Sequence, residues 1–174
     1  GLTKLFHFYF QSKFLKRNDI LCNLHLASKN DIDALNYLGY LFDEGKYLPK
    51  DIKKSIHYFS LASNLNSPEA QFNLGCVYYE GQYVQKDINK AIHYFSLAAN
   101  QNDLEAQFNL GIIYYEGRYV QKDINKAIHY FSLAANQNDL KSQIILGIIY
   151  YEGRYVKKDI NKAIHYFSLA ANQN

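Results

Sequence analysis

A 36-residue block recurs along the chain and limits its fold more than any other feature. Residues 87–122 read DINKAIHYFSLAANQNDLEAQFNLGIIYYEGRYVQK. Residues 123–158 repeat them with changes only at Lys141, Ser142, Ile144, Ile145 and Lys157. Residues 51–86 repeat them with nine changes, and residues 159–174 begin the block again. At such a period each copy is one supersecondary unit, which buries its apolar face only against its neighbours. The chain is therefore expected to be a stacked array rather than a single rounded core.

The punctuation inside each block predicts two antiparallel helices. Each unit opens on an N-cap residue, at Asp31, Ser67, Asp103 and Asp139, whose side chain can accept from an otherwise unpaired amide. Pro68 follows Ser67 at the first helical position, where its missing N–H costs nothing. The first helix runs to a glycine, at Gly45, Gly81, Gly117 or Gly153, which can take the left-handed conformation that closes a helix. A short connection leads to a second cap, at Asp51, Asp87, Asp123 or Asp159, and a second helix of similar length. Asparagine-rich turns such as 136–138 close the unit, since asparagine tolerates left-handed geometry. Ala106, Leu110, Gly111 and Tyr114 make one apolar stripe, and Ala127, Tyr130, Phe131, Ala134 and Ala135 the other. A mid-helix glycine costs about 0.5–1 kcal/mol relative to alanine. Its recurrence at Gly39, Gly75, Gly111 and Gly147 predicts a close helix contact there.

Composition narrows the function. Apolar residues make up 48%, enough for a continuous core, and the net charge of +3 is too small and too dispersed to indicate nucleic acid as a partner. No apolar run approaches the roughly 18 residues that span a bilayer. Cys22 and Cys76 do not recur with the period, so no disulfide framework is expected, and a reduced, cytoplasmic setting is preferred to the endoplasmic-reticulum lumen. The absence of methionine suggests a piece of a longer protein. Residues 1–30 are expected to form degenerate capping helices, with Leu2, Leu5, Phe6 and Tyr9 at helical spacing and Leu26 and Ala27 echoing Ala98 and Ala99. Membrane contact by this basic, aromatic segment is the less favoured reading. Four regular units follow, at 31–66, 67–102, 103–138 and 139–174.

The pattern Ala106, Leu110, Gly111, Tyr114, Gly117, then Asp123, Lys126, Ala127, Tyr130, Phe131, Ala134, Ala135, resembles the Sel1-like repeat, a relative of the tetratricopeptide repeat. The resemblance covers residues 31–174. It implies an all-α, right-handed solenoid of two-helix repeats, whose members serve as adaptors and scaffolds. Some act in endoplasmic-reticulum quality control, others in bacterial signalling and host interaction. This sequence departs from the pattern at Phe42, Ser55 and Ser142, and has Asn102 and Asn138 where a glycine often closes the second helix. A cysteine-rich branch of the family has been credited with β-lactam binding, but its paired cysteines are missing here.

Three sets of residues are candidates for function. His57, His93, His129 and His165 recur once per unit. Equivalent positions of stacked helices lie about 10 Å apart, whereas zinc holds its nitrogens at about 2.0–2.1 Å, so these histidines read as surface residues and no metal or cofactor is expected. Lys86 and Lys90, Lys122 and Lys126, and Lys158 and Lys162 flank the starts of the second helices. They read as a solvated face with local acid–base pairing, although such a ridge could attract an acidic partner or phosphate. The third set is the inward stripe of the first helices, counted as in tetratricopeptide repeats. It comprises Asp33, Asn36, Tyr40 and Asp43, then Glu69, Phe72, Cys76 and Tyr79, then Glu105, Phe108, Ile112 and Tyr115, and finally Lys141, Ile144, Ile148 and Tyr151. The first row is polar and the later three largely apolar, which points to a groove for a peptide or helix of a protein partner. Burial of the same residues by tight superhelical curvature is the competing explanation.

No phosphate loop, nucleophile elbow or carboxylate pair stands outside the caps, so no enzymatic activity is expected. The expected role is a protein–protein interaction scaffold or adaptor. The alternative is an architectural spacer that uses its outer faces or ends. Residues 159–172 keep the apolar pattern of internal units, so further repeats, a partner or a second copy are expected to cover them.

Overall fold

The computed structural model describes residues 18–173, which form helices joined by short turns, with no strand among them. Residues 18–27 are helical (α1). They are followed by α2 (Ile32–Glu44), α3 (Ile52–Asn64), α4 (Pro68–Glu80), α5 (Ile88–Ala99), α6 (Leu104–Glu116), α7 (Ile124–Asn136), α8 (Leu140–Glu152) and α9 (Ile160–Ala171). The expected helix over Leu2, Leu5, Phe6 and Tyr9 lies outside the described residues.

The ends of these helices follow the sequence punctuation. Asp31, Asp103 and Asp139 accept from the amides of Ala34, Ala106 and Ser142, and the Ser67 hydroxyl does the same for Ala70. Asp51, Asp87, Asp123 and Asp159 cap the second helices in the same way. Gly117 and Gly153 close α6 and α8 with φ of 63° and 62°, and Asn66, Asn102 and Asn138 turn the chain between units with φ of 64–67°. Asn30 adopts the same positive φ after α1, and the Asp31 amide donates to Leu26 O as the Asp103 amide does to Ala98 O. Residues 18–30 thus keep the closing turn of a repeat. Their side chains follow it less well: Ala27 is buried, but Leu21, Leu24 and Leu26 are exposed.

The chain divides into two compact units, one ending at Leu74 and one beginning at Gly75. In the first, α2 packs against α3, with Ala34, Leu35, Leu38, Leu41, Phe42, Phe59 and Ala62 buried. The Phe59 ring lies directly against Gly39, where an added Cβ would come within 2.5 Å of it.

In the second unit α6 packs against both α5 and α7, and α8 against both α7 and α9. Each first helix therefore loses two faces to neighbours, and its spine of Ala106, Leu110 and Gly111 is fully buried. Phe95 and Phe131 are also wholly buried, each ring over the glycine of its own unit. Burial of a phenylalanine of this kind contributes about 1.5–3 kcal/mol. The close approach inferred from the mid-helix glycines is this ring-on-backbone contact. Neighbouring units are also tied by buried amides. Gln107 Nε2 donates to Ala99 O at 3.2 Å, and Gln137 Nε2 donates to Gln107 Oε1 at 2.9 Å. Gln143 and Gln173 repeat the arrangement one unit on.

Candidate protein-binding face

The four rows of the inward stripe differ in how much of their chemistry is already satisfied. In the first unit Asn36 is buried, and its Nδ2 donates to Ser67 Oγ at 3.0 Å and Glu69 Oε2 at 2.9 Å. Tyr40 accepts from Asn73 Nδ2 at 2.8 Å and sets its ring edge-on to Phe59. Asp43 pairs with Lys50 at 3.8 Å, while Asp33 stays exposed. Phe72 is half-buried. The polar character expected of this row is there, but most of it is spent inside the protein.

In the second unit the row on α6 is aromatic and aliphatic, and half-buried. Phe108 and Tyr115 both lean on Phe131, with ring centroids at 5.9 and 6.3 Å, and Ile112 packs beside them. Lys141 crosses from the next unit to place its ammonium 5.5 Å from the centre of the Phe108 ring. Glu105 remains exposed. Packing thus takes up part of this row, as the curvature argument anticipated. On α8 the same positions, which on α6 are covered by Lys141 and Tyr155 of the following repeat, leave Ile144 and Ile148 each 40% exposed and Tyr151 56% exposed, in one line along the helix.

Tyr79 and Cys76 occupy the equivalent positions on the part of α4 that belongs to this unit. Tyr79 leans on Phe95 and meets Tyr119 edge-on at 6.4 Å. The Cys76 thiol is pushed up to about 12 by burial, reinforced by the negative charges of Glu80, Asp103 and Glu105. It is therefore a neutral, apolar surface element at ordinary pH. Cys22 is exposed, and both cysteines are free.

The lysines divide into two sets that the sequence alone does not separate. Lys90 and Lys126 pair with their own N-cap aspartates at 3.7 and 3.8 Å, as the acid–base reading expects, and Lys54 pairs with Asp51. Both sets also lie over tyrosines, Lys90, Lys126 and Lys162 over Tyr78, Tyr114 and Tyr150, but Lys86, Lys122 and Lys158 have the ring contacts without an aspartate partner among the described residues. Lys86 Nζ is 5.0 Å from the Tyr79 ring centre and 4.1 Å from that of Tyr119. Lys122 stands between Tyr115 and Tyr155 at 5.2 and 4.1 Å, and Lys158 lies 5.1 Å over Tyr151. Hydrogen bonding from Lys86, and then its charge, holds the exposed Tyr119 phenol below its ordinary value, and Lys122 does the same for Tyr155. The sequence signal for this arrangement was the tyrosine two residues after each closing glycine, which was not used. The histidines His57, His93, His129 and His165 are exposed, each edge-on to the tyrosine that follows it.

A family profile, Sel1 repeat, matches at residues 32–67, 68–103, 104–139 and 140–174. The chain belongs to the Sel1 repeat family. Among solved structures it is similar to a Sel1 repeat protein from Oxalobacter formigenes, at 38% identity and a TM-score of 0.74, over 83% of this chain and 59% of that one. It is also similar to a protective antigen of uropathogenic Escherichia coli that displays the SLR fold, at 30% identity and a TM-score of 0.83, over 89% of this chain and 33% of that one. A third relative is cysteine rich protein B of Helicobacter pylori, at 33% identity and a TM-score of 0.53, over 74% of this chain and 92% of that one. The chain thus spans 59% and 33% of the first two relatives. No curated protein matches it. Sel1 repeat proteins generally mediate protein–protein interaction and are typically non-catalytic scaffolds. Among the described residues, no helix of this Sel1 repeat chain is long and apolar enough to cross a membrane.

Proposed function

We propose that this Sel1 repeat chain is an adaptor that takes an extended or helical segment of a protein partner along the stripe of α6 and α8. Phe108, Ile112 and Tyr115 form its floor, and Ile144, Ile148 and Tyr151 its open part. The observation that supports this reading most is the aromatic and aliphatic row of Phe108, Ile112 and Tyr115, only half-buried on the internal helix α6 and repeated in kind by Ile144, Ile148 and Tyr151 on α8. An exposed apolar line costs solubility, and on a surface helix it marks an interaction site. Phe108 suits a test poorly, because its ring packs on Phe131 and a substitution there would disturb the core. Ile148→Asp and Tyr151→Asp change exposed atoms and leave the spine intact.

The test is affinity capture from the native source with the chain and these two variants as baits. Proteins held by the unaltered chain and lost with both variants are the expected result. Retention of every captured protein by both variants would remove the reading. An architectural role in a larger assembly, through outer faces or ends, is the second reading. Its variant is Ile164→Asp, which should then cost partner capture while Ile148→Asp does not.

A further inference from the structure

The structure repeats one cation four times in two different settings, and the difference indicates what it can bind. Lys50, Lys86, Lys122 and Lys158 each stand five residues after a closing glycine. The position opposite them on the first helix is Asp43 in the first repeat, and Tyr79, Tyr115 or Tyr151 in the others. Where that position is an aspartate, the lysine takes its carboxylate, at 3.8 Å between Lys50 Nζ and Asp43 Oδ1. Where it is a tyrosine, the ammonium lies over the ring, and no ion pair forms on Lys86, Lys122 or Lys158 among the described residues.

We propose that Lys86, Lys122 and Lys158 form a rail for the carboxylates of an acidic segment of a protein partner, one carboxylate per repeat. This rests on the reading of the tyrosine-bearing face as the docking face, since Lys122 and Lys158 border its Tyr115 and Tyr151, and Lys86 borders Tyr79 at the equivalent position on α4. The ring's quadrupole attracts the ammonium, and Lys86 and Lys122 direct one N–H to the Tyr119 and Tyr155 hydroxyls; the donors that remain face water, and a carboxylate uses those better. All three lysines are exposed, so an incoming acid reaches them without rearrangement. The nearby Arg118 is engaged by Glu116 at 3.9 Å. Single-stranded nucleic acid fits less well. It stacks its bases on open aromatic faces, and here the ammonium groups cover faces of Tyr79, Tyr115 and Tyr151.

The experiment is fluorescence anisotropy with a labelled oligo-glutamate peptide, beside an oligo-glutamine peptide of equal length. The triple variant Lys86→Gln, Lys122→Gln, Lys158→Gln is compared with Lys90→Gln, Lys126→Gln, Lys162→Gln. The second set removes the same charge and matched ring contacts to Tyr78, Tyr114 and Tyr150, and differs from the rail in that Lys90 and Lys126 are already paired with Asp87 and Asp123. Oligo-glutamate should bind and weaken roughly tenfold with the first variant, while the second leaves it within about twofold. Arginine at the rail positions should restore it, and added salt should weaken it in the unaltered chain.

Equal losses in the two triple variants would overturn the rail, and so would no preference for oligo-glutamate over oligo-glutamine. Tighter binding of oligothymidylate or of phosphatidylserine vesicles would overturn it as well. Absence of the oligo-glutamate preference on the unaltered chain overturns the rail even where a variant fails to fold, and restoration by arginine at the rail positions supports it. A protein captured by the unaltered chain, lost with Ile148→Asp and kept by the rail variant overturns the rail alone. Capture indifferent to Ile148→Asp and Tyr151→Asp, with oligo-glutamate still bound through the rail, overturns the docking face alone.

Discussion

The first repeat and the third share a backbone plan but treat the same stripe in opposite ways. Asn36, Tyr40 and Asp43 close their polar valences within the protein, on Ser67 and Glu69, on Asn73, and on Lys50. Phe108, Ile112 and Tyr115 stand at those positions in the third repeat, where the rings lean on Phe131 and lysine ammonium groups lie over them. Behind both stripes the spine is the same: a buried leucine, a glycine, and a phenylalanine ring over that glycine. The spine specifies the stacked helices and the stripe does not, so the stripe is free to vary from repeat to repeat.

The strongest test of that division strikes the shared spine. Phe131→Ala should cost about 3–5 kcal/mol in urea denaturation followed by circular dichroism, and Phe59→Ala in the first repeat should fall in the same range. Both rings are buried, at 0% and 2% exposure. Phe167 occupies the same position on α9 but is 38% exposed, so its replacement should cost less than half as much. A Phe59 variant as mild as the Phe167 one would mean that the first repeat does not share the spine. Gly111→Ala comes next. Its Cβ would lie 2.5 Å from Phe131 Cε1, and that ring is fully buried. Overpacking of this kind costs about 1–3 kcal/mol, and the better helix propensity of alanine offsets only part of it. The same scan should show a net loss, and a gain would sink the account of why glycine stands there.

Most of the fold was legible because caps, closing glycines and the spine are local signals at a fixed spacing. Asp103, Gly117 and Asp123 have the roles that their residue types suggest, and the Gly111 contact followed from the cost of a mid-helix glycine. The candidate face was legible only in outline. The period placed Phe108 and Tyr115 on one stripe, but how far Phe131 of the same unit, and Lys141 and Tyr155 of the next, cover them depends on packing between helices, which no local pattern encodes. Gln107 was missed because a glutamine on a helix reads as surface, yet it is buried and spends its amide on Ala99 O. The two sets of lysines could not be told apart either. Lys122 and Lys126 are four residues apart in the chain, both lie over tyrosines, and only the fold shows that Lys126 adds an ion pair with Asp123 where Lys122 has none among the described residues.

Two serines test the spine from the other direction. Ser55 and Ser142 stand where the other repeats carry alanine, both are buried, and neither hydroxyl has a hydrogen-bond partner. An unpaired buried hydroxyl carries a desolvation cost of about 1–3 kcal/mol, and the equivalent alanines Ala127 and Ala106 show that a methyl group fits. Ser142→Ala and Ser55→Ala should therefore each stabilise the chain by about 1 kcal/mol in the same denaturation assay. Destabilisation by either would mean that the hydroxyl is satisfied after all.

The smallest effect bears most directly on the comparison. Asp43→Asn removes the carboxylate that Lys50 holds, and both side chains are nearly half exposed. Exposed pairs of this kind contribute about 0.2–1 kcal/mol and are screened by salt, so the loss should be slight at low ionic strength and vanish at high. Asp43→Tyr would give the first repeat the arrangement of the third. Lys50 would then lie over a ring, an exposed contact worth about 0.5–1 kcal/mol, and stability should barely change. Near-neutrality in both variants would show that the lysine accepts either a carboxylate or a ring without cost to the fold. A loss well above 1 kcal/mol in Asp43→Asn would make that carboxylate structural in the first repeat. The lysines over Tyr79, Tyr115 and Tyr151 would then be a different device, not the same cation awaiting an acid from outside.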